Sequence, residues 1–270
     1  MSERDDHSPA EWRDLNHAWW EEQAALHSTS LLYREGGSGL EAFEWEDLGS
    51  VEGLQVVYPQ CHIGTDTVSL AECGASTVGI DFSAAAIKVG PTLAEQREVG
   101  ETEWIVGDVY DAAKSVEGRT FDLVYTGKGA ICWLPDMQRW AEVMWALCRP
   151  GGRFYLSEFH PLADQLHDDN TTFTRPYFPT GGDLFVELGS YAARDAVTTN
   201  NIIVDFPHPL SEVMQALLDA GFQLRKMREF PFTVSKRWPW MVTDGDGVWR
   251  FPPDLPEFPL MYWLLFDKPE

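Results

Sequence analysis

Two groups of residues in this 270-residue chain stand at spacings that chemistry can use. Asp81 closes the apolar run Thr77-Val78-Gly79-Ile80 and lies seventeen positions after Gly64. An acid at the carboxyl end of a strand, preceded by a glycine turn and a short helix, is how doubly wound sheets hold the hydroxyls of a ribose. Glu158 and His160 follow a second apolar run, Phe154 to Leu156. A carboxylate and an imidazole at a strand end are candidates for a general base, and either can equally be a structural group that holds the following loop. Gln60 and His62, just before Gly64, add hydrogen-bonding side chains to the same neighbourhood.

These residues need elements to position them. Leu54, Val56 and Val57 form a short apolar run of the kind found in strands buried on both faces, and the run breaks at Pro59. Gly64 permits a tight turn, Thr65 and Asp66 suit a helix start, Val68, Leu70 and Ala71 give the helix an apolar face, and Gly74 ends it. A helix is expected to follow Asp81, capped by Ser83 and bent at Pro91. Trp104 to Val106 reads as a third strand ending at Gly107-Asp108, and Phe121 to Tyr125 as a fourth ending at Thr126-Gly127-Lys128-Gly129. Lys128 is expected to reach solvent. A helix runs from Leu134 to Leu147, the turn Arg149-Pro150-Gly151-Gly152 leads into the fifth strand, and His208 to Ala220 forms another helix. Phe222 to Met227 and Leu260 to Phe266 then form a terminal antiparallel pair. The fold expected is α/β, a doubly wound, Rossmann-like sheet of about seven strands in a single domain. Residues 1–50 make an N-terminal helical cap, 51–161 the core, 162–206 an inserted lid and 207–270 the rest of the core.

The stretch QVVYPQCHIGTDTVSLAECGASTVGIDFS, followed by GDVYD at 107–111, FDLVYTGKGA at 121–130 and LCRPGGRFYLSEFH at 147–160, resembles a class I S-adenosylmethionine-dependent methyltransferase. QCHIGTDT with GIDFS is similar to small-molecule methyltransferases common in actinobacteria and points to specialised metabolism. The family's acid-x-G-x-G-x-G loop corresponds here to Tyr58, Gln60, His62 and Gly64, of which only the last is glycine. The resemblance implies that Gln60 and His62 bond the methionine amino or carboxylate group, with Gly64 and Thr67 at the helix start. It implies that Asp81 and Phe82 hold the ribose, that Asp108 accepts from the adenine amino group, and that the Val109 N–H meets the ring. Thr126 lines the same site, and Tyr33 closes over the cofactor.

Twenty basic against 43 acidic residues give a formal charge of −23, which repels phosphate backbones and leaves a small-molecule acceptor as the expected partner. The four cysteines show no C-x-x-C spacing and fit buried thiols in a reducing compartment. The N-terminus is charged without an apolar core, and no window offers the ~20 apolar residues of a membrane span, so a cytoplasmic location is expected. His167, Asp168 and Asp169 read as a solvated loop, and no metal site is expected.

Twelve tryptophans and fifteen phenylalanines suit both the anchoring of loops and the walls of a site for a sulfonium and an apolar acceptor. Trp133, Tyr177, Trp238 and Trp240 are the candidate acceptor-binding residues, and the reaction expected is in-line methyl transfer to N, O or C. Two rival readings are a non-catalytic binding module and a nicotinamide-dependent oxidoreductase, the second lacking its G-x-G-x-x-G.

Overall fold

Alternation of side chains along the strands explains the architecture. In β1 (Gln55–Tyr58), Val57 points to one face of the sheet and Val56 and Tyr58 to the other, and all three are buried. Such a strand needs helices on both faces, and it has them. The structure is a computed structural model and describes residues 8–29, 39–166, 172–179, 181–193, 195–245 and 247–270. Tyr33 and the His167-Asp168-Asp169 triplet lie outside the described residues.

In chain order the elements are α1 (Pro9–Thr29), α2 (Ala42–Leu48), β1, α3 (Thr65–Glu72), β2 (Ser76–Asp81), α4 (Ala84–Ile87), α5 (Gly90–Gln96) and β3 (Thr102–Val106). There follow α6 (Ala112–Ser115), β4 (Phe121–Thr126), α7 (Met137–Leu147), β5 (Cys148–Phe159), β6 (Asp183–Val186) and β7 (Ile202–Asp205). The chain closes with α8 (Leu210–Asp219), β8 (Gln223–Phe230), β9 (Phe232–Thr233), β10 (Trp249–Arg250) and β11 (Met261–Asp267). The main sheet has seven strands in the order β3-β2-β1-β4-β5-β11-β8, with β11 antiparallel to both neighbours. The other adjacent pairs are parallel.

One face carries Val57, Ile80, Val124, Phe154 and Leu264 against Trp140, Met144, Val213 and Leu217 of α7 and α8. The other carries Val56, Leu123, Tyr155 and Trp263 against Leu48 of α2, Leu70 of α3 and Ile87 of α4. Register brings the carboxyl ends level: Tyr58 lies beside Gly79, Asp81 beside Val106, and Thr126 beside Leu156. Above that edge lie α1 and the hairpin β6–β7. Asn16 fastens the two together, its amide donating to the Val204 carbonyl and its carbonyl accepting the Val204 N–H, both at 2.8 Å. Among the described residues no helix is long and apolar enough to cross a membrane.

The expected helix after Asp81 is two short helices, α4 and α5, divided just before Pro91. α2 has no counterpart in the sequence reading. It starts with a capping box in which Glu41 and Glu44 each accept the other's backbone N–H.

Candidate active site

The loop after β1 turns on two left-handed residues, His62 (φ 53°) and Gly64 (φ 89°). That geometry aims the His62 N–H at Asp81 Oδ2, 2.8 Å away, while Ser83 N–H donates to Oδ1 at 2.9 Å. Ser83 in turn caps α4 by accepting from Ala86 N–H at 3.0 Å. The Asp81 carboxylate is thereby fixed in orientation at the end of β2. Burial raises its pKa to about 6, against the pull of the two N–H groups. Gly64 has a second reason to lack a side chain. A Cβ there would stand 2.3 Å from ring carbons of Trp104, whose indole also lies against Gly79 and Gly90.

At the end of β3, Asp108 accepts the Tyr110 N–H at 2.8 Å and pairs with Arg13 of α1 at 2.7 Å. Val109 is buried in the core beneath. Thr126 and Thr67 are buried at the end of β4 and the start of α3. The Gln60 amide donates to the Ala130 carbonyl at 2.9 Å. Phe82 presents its ring to the edge of His17, whose Nε2–H donates to the Phe82 carbonyl at 3.2 Å.

α1 roofs this edge with aromatic rings. Trp20 meets His62 at 5.1 Å and Trp133 at 5.3 Å between centroids, and Trp19 stacks on Trp133 at 5.6 Å. His27 lies 2.9 Å from His62 through Nδ1 and Nε2, and its own Nε2 reaches Ser190 Oγ at 2.8 Å. Burial drives His27 down to about 4, so both rings are neutral at pH 7. The Trp133 indole donates to the Gly129 carbonyl at 2.8 Å, which fixes its ring beside the end of β4.

Glu158 lies at the end of β5, and its oxygens are fully engaged. Oε1 accepts from Ala130 and Ile131, and Oε2 from Gly129 and Phe159, at 2.7 to 3.1 Å. Burial pushes its pKa up to about 7 despite those four N–H groups. His160 is engaged at both nitrogens: Nδ1 accepts from the Leu162 N–H at 3.1 Å, so Nε2 carries the proton and faces Glu229 at 3.0 Å. Beside Glu158 is a cavity of about 100 Å³ that also touches Gly129, Cys132, Asp205 and Tyr262. Asp205, on β7, is raised to about 7 by burial and by Asp164. A larger open cleft, about 880 Å³, lies between Trp19, the hairpin residues 187–191 and the loop 236–239.

Lys128 corrects the expectation that it reaches solvent. It is 11% exposed and lies 2.6 Å from Glu44, a fully buried carboxylate on α2. A Lys whose partner is 84 positions earlier in the chain gives no local sign of burial. Trp238 walls the larger cleft and stacks on Trp240 at 5.2 Å, within a cluster that includes Phe251. Tyr177 stands apart from that cleft, its hydroxyl accepting the Leu210 N–H at the start of α8.

Hydrogen bonds and ring contacts thus bring Gln60, His62, Gly64, Asp81, Phe82, Trp133 and Glu158 to one edge of the sheet, with Thr67, Asp108 and Thr126 at the same strand and helix ends. The sequence reading missed Arg13, His27, Glu44, Asp66 and Asp205. The Glu41-x-x-Glu44 spacing was the available sign for one of them, and Glu is an uncommon N-cap. Among the described residues no group of three His, Cys, Asp or Glu is placed to hold a metal ion.

Residues 60–154 match the family model described as a methyltransferase domain. A ubiquinone biosynthesis O-methyltransferase from Leptothrix cholodnii is 22% identical over 254 residues, covering 90% of this chain and 94% of that protein. A SAM-dependent methyltransferase from Methanosarcina mazei superposes with a TM-score of 0.56 at 18% identity, over 85% of this chain and 99% of that one. One from Mesorhizobium loti gives 0.53 at 18% identity, over 84% and 98%. The residues at the strand ends fit S-adenosylmethionine. Asp81 is an oriented acceptor for a diol, Asp108 offers a carboxylate one strand further on, and Gly127 brings the end of β4 so close to Tyr58 that a Cβ would come within 2.6 Å of its hydroxyl. Residues 60–154 thus carry a methyltransferase domain, and the sheet order and strand-end chemistry around it are those expected of S-adenosylmethionine-dependent methyl transfer.

Proposed function

We propose that the enzyme methylates N, O or C of a small-molecule acceptor that enters between the β6–β7 hairpin and the loop 236–239. The observation that carries this reading is the cleft of about 880 Å³ walled by Trp19, Tyr191, Ile203 and Trp238, large enough for a low-molecular-weight acceptor and lined mostly by apolar and aromatic groups. Trp19 is also the ring that stacks on Trp133, which ties the cleft to the loop after β4.

S-adenosylmethionine, when bound, supplies a methyl group already activated by positive sulfur. The chain is left with binding, alignment and the exclusion of water, effects that raise effective molarity by as much as ~10⁵ to 10⁸ M. Asp81 holds the ribose hydroxyls and Asp108 the adenine side, with Gln60, His62, Gly64, Thr67, Phe82, Val109 and Thr126 around them. Trp19, Trp20 and Trp133 keep water from the reacting centre. Glu158 and His160, whose acceptor atoms are spent on backbone N–H groups while the His160 Nε2–H donates to Glu229, position the 129–131 loop and the start of the lid. Where the acceptor carries a proton, Asp205 is the side chain suited to take it, because its carboxyl lines the cavity beside Glu158 and is held near neutrality.

Transfer of labelled methyl from S-adenosylmethionine to a panel of phenolic, carboxylic and heteroaromatic acceptors tests the reading. Product is expected from at least one class, with Asp205→Asn slowing oxygen acceptors at least ~100-fold and leaving S-adenosylhomocysteine affinity unchanged. Binding of S-adenosylhomocysteine without transfer to any low-mass acceptor would favour a binding module.

A further inference from the structure

We infer that the amino-acid tail of the cofactor is held by a buried charge cluster in place of a glycine-rich loop, Lys128 taking its carboxylate and Asp66 its ammonium. The inference rests on the cofactor assignment above and goes beyond it to residues that the family's loop pattern does not contain.

Order along the sheet edge comes first. Asp108 stands at the end of β3, Asp81 at β2, Tyr58 at β1 and Gly127-Lys128 just past β4, in the spatial order of the strands. A ligand with adenine toward β3 and ribose at β2 continues over β1 to β4, at ~4.8 Å per strand. Its tail therefore arrives where Lys128, Tyr58 and the first turn of α3 meet.

The side chains that sequence suggested for the tail are occupied within the fold. Gln60 donates to Ala130, and the His62 ring faces His27. The cluster beside them is differently built. Lys128 Nζ lies 2.6 Å from Glu44 Oε2, and the Tyr125 hydroxyl lies 3.1 Å from Glu44 Oε1 and 3.4 Å from Asp66 Oδ2. Glu44 and Asp66 are buried, at 0% and 8% exposure, and Glu41 adds a third, half-buried carboxyl whose charge acts on both Lys128 and Asp66. Among the described residues one ammonium thus serves three carboxyl groups. Buried charge is tolerated when it is matched, and this set lacks positive charge. Asp66 registers the deficit: burial first, then Glu44 and Glu41, raise it to about 6 against the pull of Lys128.

A zwitterionic tail corrects the imbalance at both ends. Its ammonium adds the missing cation beside Asp66, and its carboxylate gives Lys128 a second anion. Gly127 brings the backbone past the end of β4 directly against this cluster, since a Cβ there would lie 2.6 Å from the Tyr58 hydroxyl and 2.9 Å from Asp66 Oδ2.

Calorimetric titration with S-adenosylhomocysteine and with 5′-methylthioadenosine, which keeps the nucleoside and thioether but has no amino-acid tail, tests the assignment. Asp66→Asn is expected to weaken S-adenosylhomocysteine at least ~10-fold and leave 5′-methylthioadenosine unchanged, with the free variant melting no lower than the parent. The pair Glu44→Gln, Lys128→Gln, which removes both members of the ion pair, is expected to do the same. Equal affinity of parent and Asp66→Asn for S-adenosylhomocysteine, or equal loss for both ligands, would overturn the tail assignment alone. A folded parent that binds neither ligand would overturn the cofactor reading and the inference with it.

Discussion

Replacing Glu158 by Gln keeps the shape of the side chain but turns one of its two acceptor ends into a donor, so two of the four N–H groups of Gly129, Ala130, Ile131 and Phe159 would face an NH₂. Each buried donor left unmatched costs ~1 to 3 kcal/mol. The variant should therefore lose roughly 2 to 5 kcal/mol in urea unfolding. A variant equally stable but inactive would instead mark Glu158 as the base. Asp81 gives a pH signature. In its proposed role the carboxylate form accepts ribose hydroxyls, and burial raises its pKa to about 6. Affinity for S-adenosylhomocysteine should hold above pH 7 and decline as pH falls through about 6, a profile that Asp81→Asn should flatten while weakening binding about 10- to 100-fold.

The roof over the site, α1, is fastened to the β6–β7 hairpin through Asn16, Glu22, Gln23 and His27. Asn16→Ala removes both links between α1 and Val204, and hydrogen exchange at residues 202–205 should quicken by about one to two decades while β1, β4 and β5 stay protected. Gly64→Ala meets two obstacles, a backbone φ of 89° and the Trp104 ring 2.3 Å from the new Cβ, and should destabilise the protein by roughly 2 to 4 kcal/mol in thermal or urea unfolding. That double constraint also shows where sequence was informative. The β1-α3-β2 unit, β4, β5, α7 and the terminal antiparallel pair were legible because each is an apolar run bounded by its own glycines, caps or prolines, and Asp81 was legible because it ends one of them. α2, the burial of Lys128 and the pairing of Arg13 with Asp108 were not. Their causes lie across the chain: Glu44 meets Lys128 from 84 positions away, and Arg13 reaches Asp108 from a helix that local pattern could not orient.

On the scale of the whole molecule, a net charge of −23 and four carboxyls whose pKa burial raises act in the same direction. Asp66 and Asp81 are raised to about 6, and Glu158 and Asp205 to about 7, against ~4 when unfolded. Between those values the folded state binds more protons, so their contribution is complete below ~4 and lost as pH rises through 6 to 7. His27, lowered to about 4, works the other way, contributing above ~6.5 and less as pH falls toward 4. The melting temperature should pass through a maximum at about pH 4 to 5 and fall as pH rises beyond it, and added salt should raise it at pH 8 by screening like charges.

α1 touches the cofactor loop through His27 and His62 and the hairpin through Ser190 and Val204. One helix is therefore the door to both compartments. With the proposed methyl donor at the sheet edge beneath α1 and the acceptor in the cleft beyond it, ordered sequential kinetics are expected, donor first and demethylated donor last, which product-inhibition patterns would check. Turnover is then paced by the undocking of a helix. A pre-steady-state burst of methylated product, followed by a slower steady rate that Asn16→Ala accelerates, is the kinetic form expected when α1 must undock.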